Sequence, residues 1–282
     1  MAAAVLFSTG GAAIKATALQ GWQVASFRSG VAAVALLLLL PAARRRPRPA
    51  ELLVAVSYAA TLVLFVLSTK WTTAASAIFL QSTAPLYVVL LSPRMLGERV
   101  RARDVVFLTV LAAGLSLFFL AGQAPQATAP RPVAGNVLGA LTGLTWAFTV
   151  IGLRALGREG AGGGEAAVVA GNTLACLATL PMALSLPLTA AGPRDALLIL
   201  YLGAVQIGVA YACLTTGLKR VTALTATLLL VLEPVLNPVW AYLVHGERVG
   251  PGAAAAGALI LGATIAKNVL DLRNVDEVSS VR

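Results

Sequence analysis

Residues 70–100 read KWTTAASAIFLQSTAPLYVVLLSPRMLGERV, and residues 219–249 read KRVTALTATLLLVLEPVLNPVWAYLVHGERV. They align without a gap at an offset of 149, with ten identities in 31 positions. The identities are Lys70/Lys219, Thr73/Thr222, Ala74/Ala223, Ala77/Ala226, Leu80/Leu229, Pro85/Pro234, and Gly97-Glu98-Arg99-Val100 against Gly246-Glu247-Arg248-Val249. Two apolar helices share Ala, Leu and Thr by composition alone. Composition does not make Gly-Glu-Arg-Val recur at one distance after a mid-helix proline, so the pair is read as an internal repeat. A fainter match at an offset of 139 sets Phe7-Ser8 and Ile14-Lys15-Ala16 against Trp146-Ala147 and Leu153-Arg154-Ala155.

The repeat lies in a chain of 282 residues that is 59% apolar and 11% charged, against about 25% charged in a typical soluble domain. The mean hydropathy is +0.87. Apolar runs long enough to cross a bilayer recur along the whole chain, which excludes a soluble globule. Cutting at Pro, Gly and charge clusters predicts ten spans, at 2–19, 22–40, 51–69, 72–92, 104–121, 135–156, 165–188, 195–217, 221–244 and 251–270. Repeated segments therefore fall in spans four and nine. Five spans per half is an odd number, so the second half enters the membrane in the opposite sense. The expected fold is an all-α integral membrane protein of ten transmembrane helices, arranged as two inverted five-helix repeats around a central cavity. Residues 1–121 form the first repeat, 122–134 a linker, 135–270 the second repeat and 271–282 a tail.

A net charge of +10 would suggest nucleic acid in a soluble protein; here it reports membrane orientation. With a cytoplasmic N-terminus, 15 Lys and Arg lie inside and four outside, namely Lys70, Arg131, Arg194 and Arg248. Both termini are then expected on the cytoplasmic side, and Arg44, Arg45, Arg46 and Arg48 read as topology determinants. Residues 1–19 read as a short first helix with no basic segment before it, not as a cleaved signal. Cys176 and Cys213 fall in separate apolar runs and His245 has no clustered partner, so neither a disulfide framework nor a metal site is indicated. No cofactor is expected. Gly162 to Gly164 lacks the Lys-Ser or Lys-Thr of a phosphate-binding loop, which excludes a P-loop pump. An intramembrane protease is the competing enzyme class. His245 lies at a span end, and neither Asp104 nor Asp195 is mid-span, so no membrane dyad is in place.

Ten short helices in two halves, a proline in helices four and nine, and Leu232-Glu233-Pro234-Val235 followed by Gly246-Glu247 resemble the drug/metabolite transporter superfamily, specifically its EamA branch. The likeness covers almost the whole chain. It implies a bacterial inner-membrane exporter of small metabolites, with a cavity lined by helices one, three, four, six, eight and nine. In size and in its short loops the chain is similar to that branch's aromatic amino-acid exporters. Aromatic or apolar amino acids are the favoured cargo, with a drug, nucleoside or sugar as alternatives on the same fold. The partners implied are a small-molecule substrate and the bilayer, with no nucleic acid, in a monomer or weak homodimer.

Ionisable groups within a span are costly and by default face a cavity or a partner. Lys15, Arg28 and Glu233 are the three. Glu233 is read equally as a proton or substrate-amine site and as a buried acid satisfying the backbone beside Pro234. Lys15 and Arg28 lie toward span ends and are expected to snorkel; the alternative for Lys15 is attraction of a substrate carboxylate. Helical spacing places further polar candidates on stripes: Ser8 with Lys15; Tyr58 and Thr61 with Ser68; Ser76, Thr83 and Tyr87; Thr142 and Trp146 with Thr149; and Thr225, Glu233, Asn237 and Trp240. Gln206 joins them. Each hydroxyl could equally bond to its own helix. Together they describe an apolar pocket with a few polar anchors, suited to an amphipathic solute. Pro85 and Pro234 each remove an intrahelical hydrogen bond and are expected as flexible, gating points. Small residues at Ala254, Ala258, Gly262 and Ala266 predict close helix packing, within the monomer or at a dimer contact, with the first favoured.

Overall fold

Proline decides where many of the helices begin. A computed structural model describes residues 1–97, 102–121, 124–158, 164–188, 191–218 and 231–280. Over them the backbone is helical, apart from turns and an isolated bridge between Gln126 and Ala129. In chain order the helices are α1 (Ala2–Ser8), α2 (Gly10–Ala16), α3 (Gly21–Leu39), α4 (Pro49–Trp71), α5 (Ala74–Gln81), α6 (Ala84–Leu96), α7 (Ala102–Leu120), α8 (Pro132–Arg158), α9 (Glu165–Ser185), α10 (Pro193–Leu200), α11 (Ala210–Leu218), α12 (Leu232–His245) and α13 (Pro251–Ser280). A π-helical stretch, Tyr201–Val209, joins α10 to α11. Pro49, Pro132, Pro193 and Pro251 each open a helix, where the missing N–H has no partner to lose.

Six helical segments are long and apolar enough to cross a membrane: Gly21–Leu39, Pro49–Trp71, Ala74–Leu96, Pro132–Gly157, Glu165–Ser185 and Pro193–Leu214. Shorter apolar helices occupy Ala2–Ala16, Asp104–Leu120 and Pro251–Lys267. Much of the ninth expected span, including Thr225 and the repeat residues Thr222, Ala223, Ala226 and Leu229, lies outside the described residues, as do Lys219, Glu98, Arg99, Val100, Gly162 and Gly163. The expected tail is helical over most of its length, because α13 runs on to Ser280.

Pro85 and Pro234 both sit in a first helical turn, of α6 and α12 respectively. Both helices also end on a left-handed glycine, Gly97 at φ 67° and Gly246 at φ 63°, a conformation that glycine adopts without Cβ strain. Span four is thus broken, not merely kinked: α5 stops at Gln81, Ser82 and Thr83 make a turn, and α6 restarts before Pro85. Span one is interrupted at Thr9, whose hydroxyl donates to Leu6 O at 2.7 Å and meets the Tyr201 hydroxyl at 2.7 Å.

Helix α4 packs on α8, α9 and α3; α3 packs on α9 and the π-helical stretch; α13 packs on α7. Glycines allow the closest approaches. A Cβ at Gly135 would lie 2.6 Å from Thr72 N, one at Gly139 3.1 Å from Leu80 Cβ, and one at Gly143 2.9 Å from Leu80 O. This ladder seats α8 against the corner between α4 and α5. Ser68 Oγ donating to Gly135 O at 2.8 Å, and Thr72 Oγ1 donating to Asn136 Oδ1 at 2.7 Å, fasten the same corner.

One apolar core joins α5, α6, α7 and α13 through Phe79, Leu86, Leu111, Phe118 and Ile260. Another joins α3, α4, α9 and the π-helical stretch through Leu36, Tyr58, Leu62, Val168 and Ile207. Leu38, Leu53, Leu120, Leu184, Leu197 and Leu243 are exposed on the outside, an apolar surface that suits lipid. The small-residue stripe of α13 also faces outward: Ala254, Ala258, Gly262 and Ala266 are exposed. This overturns the expected intramolecular packing of that stripe. The face one position away makes the contact, with Ala253, Ala256 and Ile260 buried and a Cβ at Gly257 only 2.3 Å from the Phe79 ring.

Candidate substrate cavity

Where the two apolar cores face each other they leave a cavity of about 320 Å³, near the lower end of the ~300–1,000 Å³ typical of small-molecule sites. Helix α1 contributes Phe7; α3 contributes Arg28; α4 contributes Tyr58, Thr61, Leu62 and Phe65. The broken fourth span adds Ile78, Gln81, Ser82, Ala84 and Pro85, and α8 adds Trp146. From the C-terminal half come Gln206, Ile207, Tyr211, Leu214, Val231, Glu233, Pro234, Leu261 and Thr264. The rings gather in one wall. Tyr58 stands edge-on to Tyr211 at 6.2 Å between centroids and tilted to Trp146 at 6.3 Å, while Phe7 is edge-on to Tyr211 at 5.5 Å.

Two charged residues reach this wall. Glu233 occupies the first turn of α12, where the exposed N–H groups of a helix end favour an anion. Arg28 is only 2% exposed, its Nη2 donates to Leu62 O at 3.1 Å, and its Nε has no acceptor. Gln206 Nε2 donates to Phe7 O at 3.3 Å while its Oε1 has no partner. The surface is therefore aromatic and aliphatic, with a cation, a carboxylate and a few hydroxyls set into it.

One end of the helices is tied shut by polar contacts. Lys15 Nζ lies 3.1 Å from Glu247 Oε2, with the two side chains 5% and 0% exposed, and also donates to the carbonyls of Thr72 and Thr128. Glu247 Oε1 in turn accepts the Ala74 N–H at 2.6 Å, at the start of α5. Around this pair, Lys70 Nζ donates to Thr17 O at 2.8 Å, His245 Nε2 meets Ala12 O at 2.8 Å, and Asp195 Oδ1 accepts the Ala18 N–H at 2.7 Å. The short α2 and the two residues after it are thus held by side chains from α4, α10 and the end of α12. At the other end Arg44 caps the carbonyls of Leu37 and Leu38, and Arg45 pairs with Glu51 through both guanidinium nitrogens. That pairing holds the Arg45 guanidinium above its usual pKa. Lys267 Nζ lies 2.6 Å from Asp104 Oδ1.

The sequence profile of the EamA-like transporter family matches residues 1–120 and 133–267. The chain belongs to the EamA-like transporter family. It is 30% identical over 262 residues, 89% of this chain and 85% of the other, to Uncharacterized protein PA1977 of Pseudomonas aeruginosa. A protein of known crystal structure shares the fold at a TM-score of 0.63 and 20% identity, over 96% of either chain. Membership makes this a multi-pass membrane protein and a transporter of small metabolites.

Of the residues singled out in the sequence, Arg28, Tyr58, Thr61, Trp146, Gln206, Glu233, Pro85 and Pro234 meet at the cavity. The other described candidates lie off its wall. Thr142 donates to Leu138 O of its own helix at 2.8 Å, Thr83, in the turn before α6, donates to Leu80 O of α5 at 2.6 Å, and Ser76 accepts from Thr73 Oγ1 at 2.6 Å. Ser8 accepts from Trp240 Nε1 at 2.9 Å. Tyr87 packs on the α5–α7–α13 core. Asn237 is fully buried against Gly11, and its amide atoms have no partner among the described residues. Lys15 belongs to the ion pair at the helix ends and not to the wall. The snorkelling expected of Lys15 and Arg28 does not occur, since Lys15 is held by Glu247 and by carbonyls of connecting segments and Arg28 by a carbonyl of α4. Helices two and ten, absent from the expected lining, supply Arg28, Leu261 and Thr264. Arg28 had one signal in the sequence: it lies among Ser26, Ser29 and Gln23 on the more polar half of its span.

Proposed function

We propose that this chain is a secondary transporter that exports amino acids, with aromatic or apolar side chains favoured, across the bacterial inner membrane by alternating access. The observation that carries the substrate class is the cavity wall, in which Phe7, Tyr58, Phe65, Trp146 and Tyr211 surround space beside the Glu233 carboxylate. Aromatic faces receive an apolar body, and a half-buried carboxylate receives an ammonium group or a proton. The N- and C-termini face the cytoplasm in this reading, in keeping with the excess of Lys and Arg on that side. Two five-helix halves rock about the cavity, with the turns before Pro85 and Pro234 absorbing the change in backbone direction.

Counterflow in proteoliposomes tests it, using labelled amino acids, nucleosides, sugars and quaternary amines, with and without a pH gradient. Saturable exchange of phenylalanine or leucine is the expected result. Exchange confined to nucleosides, sugars or quaternary amines would overturn the substrate class, and an entirely silent panel would overturn the transport reading of the cavity.

A further inference from the structure

We propose that Arg28 anchors a substrate carboxylate, which makes the cavity selective for monocarboxylates with an apolar body; this rests on the cavity being the substrate site. Arg28 lies well inside α3, not at its end. A guanidinium carries five N–H donors, and the described residues give this one a single acceptor, Leu62 O at 3.1 Å. Nε is buried with no acceptor, and the residue is 2% exposed. Three other inward or interfacial cations have counter-ions, Lys15 with Glu247, Arg45 with Glu51 and Lys267 with Asp104, whereas no described carboxylate forms an ion pair with Arg28.

A buried charge without a counter-ion is unfavourable in a membrane interior. A ligand carboxylate supplies the missing charge and two acceptors matched to the guanidinium fork. The rest of the wall narrows the ligand. Arg28 is the lone cation among the described wall residues, too little positive charge for a phosphate ester. Glu233 on the same wall repels a second carboxylate. Phe7, Phe65, Trp146 and Leu214 leave an apolar surface for the remainder of the molecule. An amino acid satisfies both charges at once, its carboxylate at Arg28 and its ammonium at Glu233.

The test compares acids with their amides, so that a purely structural tie between Arg28 and Leu62 would leave the readout unmoved. Ligand-induced thermal stabilisation of the full chain in detergent, and flux in proteoliposomes, are measured with phenylalanine against phenylalaninamide and 3-phenylpropionate against 3-phenylpropionamide. Wild type is expected to prefer an acid by about tenfold or more, the scale of a charge-assisted hydrogen-bonded pair. Arg28→Gln removes the difference. Arg28→Lys, which keeps the charge but loses the fork, leaves a reduced preference and decides the matter alone if Arg28→Gln does not fold. Absence of any acid preference in wild type, or an undiminished preference in the variants, overturns the role of Arg28. If 3-phenylpropionate shows the Arg28-dependent preference while amino acids do not bind, Arg28 stands and the amino-acid assignment falls. Amino-acid exchange that ignores Arg28 gives the reverse.

Discussion

Replacing Glu247 with Gln removes one charge from a pair whose side chains are 5% and 0% exposed and 3.1 Å apart. The glutamine amide oxygen can still accept from Ala74 N, and Lys15 keeps the carbonyls of Thr72 and Thr128. What is lost is the counter-charge of a buried ammonium, a loss that costs about 3–5 kcal/mol when one member of a buried pair is deleted. The retained acceptors put the expected cost at the lower end, ~3 kcal/mol. Lys15→Met is expected to cost a similar amount by stranding the Glu247 carboxylate. The double variant leaves no unpaired charge and should fall short of the sum by about 1 kcal/mol or more. The assay is a double-mutant cycle on thermal unfolding of the purified protein in one detergent. Additivity within ~0.5 kcal/mol would show that the two residues do not depend on each other, and would refute the account of this helix end.

Gly203→Ala places a Cβ 2.5 Å from Val31 Cβ and 2.7 Å from the Arg28 carbonyl; it is expected to destabilise by about 1–3 kcal/mol and to weaken the acid-over-amide preference, with a melting temperature equal to wild type counting against the packing argument. Glu233→Gln is expected to abolish the preference for amine-bearing substrates in counterflow while leaving a monodisperse protein; full activity would make Glu233 structural. Pro85→Ala and Pro234→Ala restore a backbone donor in the first turns of α6 and α12 and should slow exchange at unchanged expression. Unaltered rates would remove the gating role.

The spans were legible in part because their signals are local, apolar runs cut at Pro, Gly and charge clusters, whereas the breaks at Thr9 and at Ser82–Thr83 fall inside expected spans. The cavity was legible only in part. Seven-residue spacing correctly groups residues on one face of a helix, but does not say what covers that face. Thr61 therefore lines the cavity even though its hydroxyl donates to Ser57 O of its own helix, whereas Thr142, which donates likewise to Leu138 O, lies off the wall. Phe7, Phe65 and Leu214 line the wall without any pattern to mark them, since apolar residues occur everywhere in such a chain. Arg28 was read by its distance from a span end, and the carbonyl that holds it lies on another helix. Lys15 and Glu247 are 232 positions apart, and nothing in the linear order announces that they meet.

The glycine ladder of α8 has a mechanical consequence. Helices in contact through bare backbone cannot slide without collision, because no flexible side chain separates them. Gly135, Gly139 and Gly143, with the Ser68 and Thr72 hydrogen bonds, hold α8 of the second half tightly to the α4–α5 corner of the first. The contacts of α2 are of another kind: charged side-chain tips reaching carbonyls, which water can replace one by one. In the proposed rocking of the two halves, the glycine contact serves as the pivot, and the Lys15 end parts along α2 and α12.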